Sequence, residues 1–238
     1  FELLTHEDKR DAIILLPGFP SSNAMDDKMY FLYDKGFNVF APRYKGTFQS
    51  KGKFLESNLV DDLKNFIAEL EKETAVSLWD MKTVKFVNEQ IFAFGGSFGG
   101  SVACALAATH KDIAKAIIAS PIWDFENHNK EYQEQDLDYL TKFVKRAFFN
   151  LYRYDFDDLT EKARKIKEMS FDFYKKHLHI PILVFHDPGD SAVSVEHSRK
   201  ADELIKQVKL IETDTGHGLS IKLLEQYFTQ IEEFLKVD

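Results

Sequence analysis

The stretch Ile91-Phe92-Ala93-Phe94-Gly95-Gly96-Ser97-Phe98-Gly99-Gly100 decides how the rest of the chain is read. Four apolar residues run straight into a serine set among glycines, and residues 101–108 that follow are small, apolar and helix-prone. A buried strand, a glycine-flanked serine and a helix, in that order, describe a nucleophile elbow. Flanking residues without a Cβ let strand and helix approach on either side of the serine. The hydroxyl is then pushed out above the sheet edge, and the new helix aims its N-terminal N–H groups at the same spot. The competing reading is a glycine-rich turn whose serine is only an N-cap, a common place for serine. The flanking chain has to choose between them.

A chain of 238 residues suits one domain with a sizeable core. Its 44% hydrophobic and 29% charged residues are ordinary for a globular protein. A net charge of −8 argues against nucleic-acid binding, which needs a basic face, and against attraction to anionic membranes. No apolar run approaches the roughly 20 residues of a membrane-spanning helix. Residues 1–8 lack a basic region followed by an apolar core, so no signal peptide is expected. Cys104 is the single cysteine, which forbids an internal disulfide and suits a cytoplasmic location. It lies among alanines in an expected helix, the setting of an inert buried thiol rather than a nucleophile. His6, His110, His128, His177, His179 and His197 show no metal-ligand spacing, and neither a metal nor another cofactor is expected.

In chain order, residues 12–16 are a continuous apolar run, as in a strand buried on both faces of a parallel sheet. The breaker cluster 17–22 ends it, and a helix is expected over 23–35, closed by Gly36. Residues 37–41 read as a second strand, followed by a polar loop at 43–54 and a helix over 55–73. Residues 84–87 fit a short strand or a hairpin arm. Another strand is expected at 114–120. Residues 122–179 are aromatic, charged and free of glycine, and read as an inserted helical cap. Strands at 180–186 and 208–212 and helices at 195–206 and 220–237 complete the pattern. The expected layout is an α/β core from 1–121 and 180–238, with the cap at 122–179 between its halves. Strands alternating with helices mean an α/β fold, a mostly parallel central sheet flanked by helices.

In such sheets reactive groups collect at the carboxyl ends of the strands. Ser97, the 17–22 loop, Asp190 and His217 all fall there, in the order serine, acid, histidine that belongs to the elbow. A neutral serine hydroxyl needs an adjacent base, and His217, between Gly216 and Gly218, sits on a loop able to bring an imidazole to it.

The motifs L-L-P-G-F-P-S-S, P-R-Y-K-G-T-F-Q-S-K-G-K-F, G-G-S-F-G-G, H-D-P-G-D-S-A-V and T-G-H-G cover the chain outside the cap. In them the chain resembles the α/β-hydrolase superfamily, most closely the small esterase and peptidase-like members of the prolyl oligopeptidase family. The resemblance implies a catalytic triad of Ser97, Asp190 and His217. The family pattern His-Gly-x-x-Asp-x-x-Val places the acid on Asp190, four after His186 and three before Val193. Asp187 stands where the family has glycine and is the rival; Asp214 reads as loop surface. The resemblance further implies an oxyanion hole from the backbone N–H groups of Phe98 and Phe19, although Pro17 replaces the histidine common in relatives. Tyr44 and Trp123, each just beyond a strand end, are candidate substrate contacts, and the cap aromatics are read as a pocket lining, a private core or a homodimer contact.

The activity these readings imply is serine hydrolysis of small carboxylic esters through an acyl-enzyme on Ser97. A serine peptidase of the acylaminoacyl or dipeptidyl type is the alternative within that class. A non-catalytic hydrolase-fold binding protein is the alternative outside it. The partner expected is a small ester or short peptide-like substrate, with neither nucleic acid nor membrane.

Overall fold

Apolar runs long enough to be buried on both faces set the centre of the sheet, and everything else packs against them. The computed structural model describes residues 1–21, 26–128, 130 and 132–236. Ser22 of the first loop, the expected helix start at Asn23 and Val237 at the chain's end lie outside the described residues. Nine strands are described: β1 (Glu2–Leu4), β2 (Lys9–Leu16), β3 (Asn38–Ala41), β4 (Thr74–Val76), β5 (Thr83–Lys85), β6 (Val87–Gly96), β7 (Ile113–Ala119), β8 (Ile182–His186) and β9 (Val208–Glu212). Seven form one sheet in the order β1-β3-β2-β6-β7-β8-β9, parallel throughout except for β1, which runs antiparallel to β3. β4 and β5 pair as a separate hairpin, so the ambiguous stretch near residue 84 is a hairpin arm.

The side-chain period of two sorts the strands onto two cores. Ile14, Leu16, Phe40, Ala93, Ile118 and Val184 face one side. There they meet the helices α2 (Leu59–Leu70) and α3 (Phe98–Thr109). Ile13, Leu15, Phe92, Phe94, Ile117 and Phe185 face the other, against α1 (Asp26–Asp34) and α8 (Ile221–Lys236). α3 is buried from Phe98 through Ala108, and its glycines and alanines let it lie close to the sheet. Helix α2 starts at Leu59 rather than at residue 55, because Leu55 takes a left-handed φ of 57° and Asn58 caps the helix through Val60 N–H at 3.0 Å.

Between β7 and β8 the chain carries α4 (Leu137–Ala147), α5 (Leu159–Arg164) and α6 (Phe171–His177), with short 3₁₀ turns. Its aromatics do not form a core of their own. Tyr152, Tyr154, Phe156 and Tyr174 join the cluster under α2 and α3, and the Tyr174 hydroxyl donates to Ser101 O at 3.1 Å. After β8, α7 (Val195–Leu204) leads back to β9. The loops at the carboxyl ends of β2, β6, β8 and β9 thereby meet at one edge of the sheet.

Candidate active site

The elbow is set by steric necessity. Ser97 joins β6 to α3 with φ 54° and ψ −127°, a backbone region that costs a residue with a Cβ about 1–3 kcal/mol. A Cβ on Gly96 would stand 2.3 Å from Leu219 N, and one on Gly99 would stand 2.2 Å from Leu16 O. Only glycine fits either place. Although Ser97 occupies the N-cap position of α3, its side chain makes no capping hydrogen bond, which removes the simple N-cap reading. Its N–H donates to Ala119 O at 2.8 Å, so the strained turn is tied to β7.

The acid and the histidine arrive on the loops after β8 and β9. His217 Nδ1 lies 2.7 Å from Asp190 Oδ2. Facing a carboxylate, Nδ1 carries the proton, and Nε2 is left with a lone pair. Asp190 is held from its other oxygen by the N–H groups of Ala192, at 2.8 Å, and Val193, at 3.2 Å. Burial acts to raise its pKa, but the hydrogen bond and charge of His217, the Ser120 hydroxyl and the Val193 N–H together hold it down to about 2. Ser120 exerts this pull from a buried position short of full hydrogen-bond geometry. Asp187 does different work: its Oδ1 accepts from Gly189 N–H and its Oδ2 from Gly216 N–H, both at 2.7 Å. It fixes the loop that carries the histidine.

A second histidine, itself buried, supports the acid loop. His186 Nε2 faces Val193 O at 2.9 Å and must therefore be the protonated nitrogen. Nδ1 accepts from the Ser198 hydroxyl at 2.7 Å, and Ser198 Oγ in turn accepts from Trp123 Nε1–H at 3.0 Å. Burial lowers the His186 pKa, in keeping with a neutral ring.

A cleft of about 390 Å³ opens at this edge. Ser97, His217, Gly18 and Phe19 line it, together with Leu16, Ile122, Leu137, Leu140, Val193 and Leu219. Among the described residues neither the Phe19 nor the Phe98 N–H has an acceptor in the protein. For Phe98 this follows from its place as the first residue of α3. The Phe98 ring is fully buried and packs near those of Phe19, Tyr44 and Phe54.

Two expected substrate contacts lie elsewhere. Tyr44 is 4% exposed, lines a different cavity, and turns its hydroxyl onto Pro17 O at 2.9 Å. Trp123 is 1% exposed and donates to Ser198. Both positions follow a strand end, but their rings turn into the core, Tyr44 near Phe54 and Phe98 and Trp123 near Phe171 and Tyr174. The cleft instead takes Lys28, Gln135, Leu137 and Leu140, which carry no sequence signal beyond ordinary helix and loop patterns. Among the described residues no group of three or more His, Cys, Asp or Glu side chains is placed to hold a metal. No helix among them is long and apolar enough to cross a membrane.

The mostly parallel sheet with its serine elbow is the architecture of the α/β-hydrolase superfamily. The chain belongs to the serine aminopeptidase S33 family, whose profile matches residues 7–174, and is a serine hydrolase. Nothing among curated protein sequences matches it. Among solved structures, an esterase from Pyrococcus furiosus is 20% identical with a TM-score of 0.66, over 96% of this chain and 82% of that one. Est1E from Butyrivibrio proteoclasticus, solved with ferulic acid bound, is 17% identical with a TM-score of 0.66, over 98% and 92%. An acylaminoacyl peptidase is 18% identical with a TM-score of 0.65, over 98% of this chain but 38% of that one. At these identities the likeness is one of fold.

Proposed function

We propose that this protein hydrolyses small carboxylic esters through an acyl-enzyme on Ser97. The observation that carries the reading is the strained Ser97 opening on the same cleft as His217, whose Nδ1 is bonded to Asp190 at 2.7 Å. His217 Nε2 takes the hydroxyl proton as Ser97 Oγ attacks the carbonyl carbon. The N–H groups of Phe98 and Phe19 receive the oxyanion. The tetrahedral intermediate then expels the alcohol, which leaves with the proton from His217. Water, deprotonated by the same nitrogen, attacks the acyl-enzyme and releases the acid. Asp190 stays ionised throughout and stabilises the imidazolium.

The cleft favours an ester over a peptide with a free amino terminus. An aminopeptidase needs a carboxylate to receive the substrate's α-ammonium group. Among the described residues lining this cleft there is no Asp or Glu side chain, and apart from the triad histidine the one ionisable group is the cationic Lys28. A peptide with a blocked amino terminus escapes that objection, and the fold it shares with an acylaminoacyl peptidase keeps that second reading in play. Rates on p-nitrophenyl butyrate, an aminoacyl p-nitroanilide and its N-acetylated form decide the matter. The ester is expected to be cleaved and the free aminoacyl anilide left intact. Preferential cleavage of either anilide would replace the esterase reading with a peptidase one.

A further inference from the structure

Residues 17–21, which follow β2 and carry Phe19, are held at both ends by tyrosine hydroxyls. At its start, Tyr44 Oη donates to Pro17 O at 2.9 Å. At its end, Tyr152 Oη accepts from Ser21 N–H at 2.8 Å and donates back to Ser21 O at 3.1 Å. One hydroxyl thus satisfies both backbone groups of the same residue. Burial raises the pKa of both phenols, so each remains a donor across the working pH range.

Neither tyrosine is free to move away. The segment bearing Tyr152 is laced to the 43–54 loop that bears Tyr44: Phe48 N–H bonds Leu151 O at 2.7 Å, Arg153 N–H bonds Gly46 O at 2.8 Å, and Phe54 N–H bonds Arg153 O at 2.7 Å. Arg153 adds its guanidinium to Phe48 O and Ser50 O. Between the two clamps, the Phe19 ring lies parallel to that of Phe54 at 5.3 Å and edge-on to that of Tyr152 at 5.4 Å. Ring packing alone would fill this space with phenylalanine. The two hydroxyls instead fix the backbone on either side of the Phe19 N–H.

We propose that Tyr152 and Tyr44 are positioning residues of the reaction, which hold the 17–21 backbone so that the Phe19 N–H meets the developing oxyanion. The inference rests on the esterase reading of Ser97 above. It also gives the insertion between β7 and β8 a part in catalysis that requires no contact with substrate. A donor displaced by about 1 Å can cost on the order of 100-fold in rate, and complete loss of an oxyanion donor costs about 100- to 1,000-fold.

Tyr152→Phe and Tyr44→Phe keep the rings and remove only the clamps. Each is expected to lower kcat on p-nitrophenyl butyrate by about tenfold or more, with KM changed less than about twofold. Affinity for butylboronic acid, which forms a tetrahedral adduct on the serine, should weaken by the same factor as kcat/KM. The pH profile should keep its shape, because His217 and Asp190 are untouched. Amide hydrogen exchange should quicken at Ser21, whose N–H loses its acceptor in Tyr152→Phe, and nowhere outside residues 17–21. Wild-type kcat in both variants, or unchanged exchange in the loop, overturns the clamp. Faster exchange across the whole chain, or melting below the assay temperature, assigns the hydroxyls to general fold support and overturns it as well. Ser97→Ala, assayed alongside, separates the two levels. If it still turns over, the esterase reading itself fails; if it is dead while Tyr152→Phe and Tyr44→Phe are normal, only the clamp fails.

Discussion

His217 Nδ1 approaches Asp190 Oδ2 to 2.7 Å, with the carboxylate fully buried and the imidazole side chain 35% exposed. A buried anion that grips a half-exposed ring fixes its tautomer while leaving the far nitrogen open to the cleft. The Asp190 pKa of about 2 means that this grip survives mild acid. The sign follows from the depression: the folded value lies below that of the unfolded chain, about 3.9. The ionised carboxylate therefore stabilises the fold above that pH, and the contribution is lost as pH falls toward 2. An acid limb of kcat/KM between pH 5 and 8 therefore does not report Asp190. Asp190→Asn is expected to cut kcat by about 10⁴-fold by releasing the ring into the wrong tautomer. A loss under about tenfold in steady-state assays would show the pair to be structural.

Strain at Ser97 gives a prediction about stability that is separate from catalysis. Both Ser97→Ala and Ser97→Gly remove the hydroxyl proposed as the nucleophile and should abolish turnover. Alanine keeps a Cβ at φ 54°, whereas glycine takes this conformation without penalty. Ser97→Gly should therefore exceed Ser97→Ala in stability by about 1 kcal/mol, the relief of strain less the added freedom of the unfolded chain. Urea titration of the two inactive proteins measures the difference. Equal midpoints would mean that the turn is not strained.

Gly96 separates the serine loop from the histidine loop. A methyl group there would lie 2.3 Å from Leu219 N and 3.0 Å from Leu219 Cβ. Leu219 follows His217 by two residues, so Gly96→Ala must push the loop bearing His217 outward or fail to close the elbow. Activity is expected to fall by about 100-fold or more, with a stability loss of about 1–3 kcal/mol. Circular dichroism melting and ester hydrolysis measured on the same sample test this, and a fully active variant would contradict the close approach.

What was readable along the chain was whatever depends on local pattern. The run 12–16 announced a strand because burial on both faces leaves no polar position, and residues 91–100 announced an elbow because only glycine tolerates that approach. Motif order points to His217 and the family pattern His-Gly-x-x-Asp-x-x-Val to Asp190, and the two side chains meet at 2.7 Å. Tyr152 was not, because its partner Ser21 lies 131 positions away and no spacing rule links a phenol to a distant backbone. Their places after strand ends point Tyr44 and Trp123 toward substrate, but place fixes the Cα and not the direction of the ring. β1 leaves no sequence signal for a related reason: three residues, Glu2–Leu4, carry too little pattern, and their strand forms against the edge that β3 offers.

Glu134 offers a further test of the insertion's grip on the acid loop. Its side chain is 1% exposed, and its Oε1 accepts from Ser194 N–H at 2.6 Å and lies 3.1 Å from His197 Nε2. Its Oε2 lies 3.5 Å from His128 Nδ1, and the neighbouring Gln135 N–H bonds Ala192 O at 3.3 Å. Ser194 caps α7 directly after the turn that holds Asp190, so the carboxylate anchors that turn from outside. Glu134→Ala leaves a buried N–H without its acceptor and should destabilise the protein by about 2–4 kcal/mol. Glu134→Gln keeps an acceptor for Ser194 and should recover about half of the loss. Because Asp190 is also held by Ala192 and Val193, kcat measured on the folded fraction should drop only several-fold in either variant. A Glu134→Ala protein within about 0.5 kcal/mol of wild type in urea would show that the acid loop stands without the insertion.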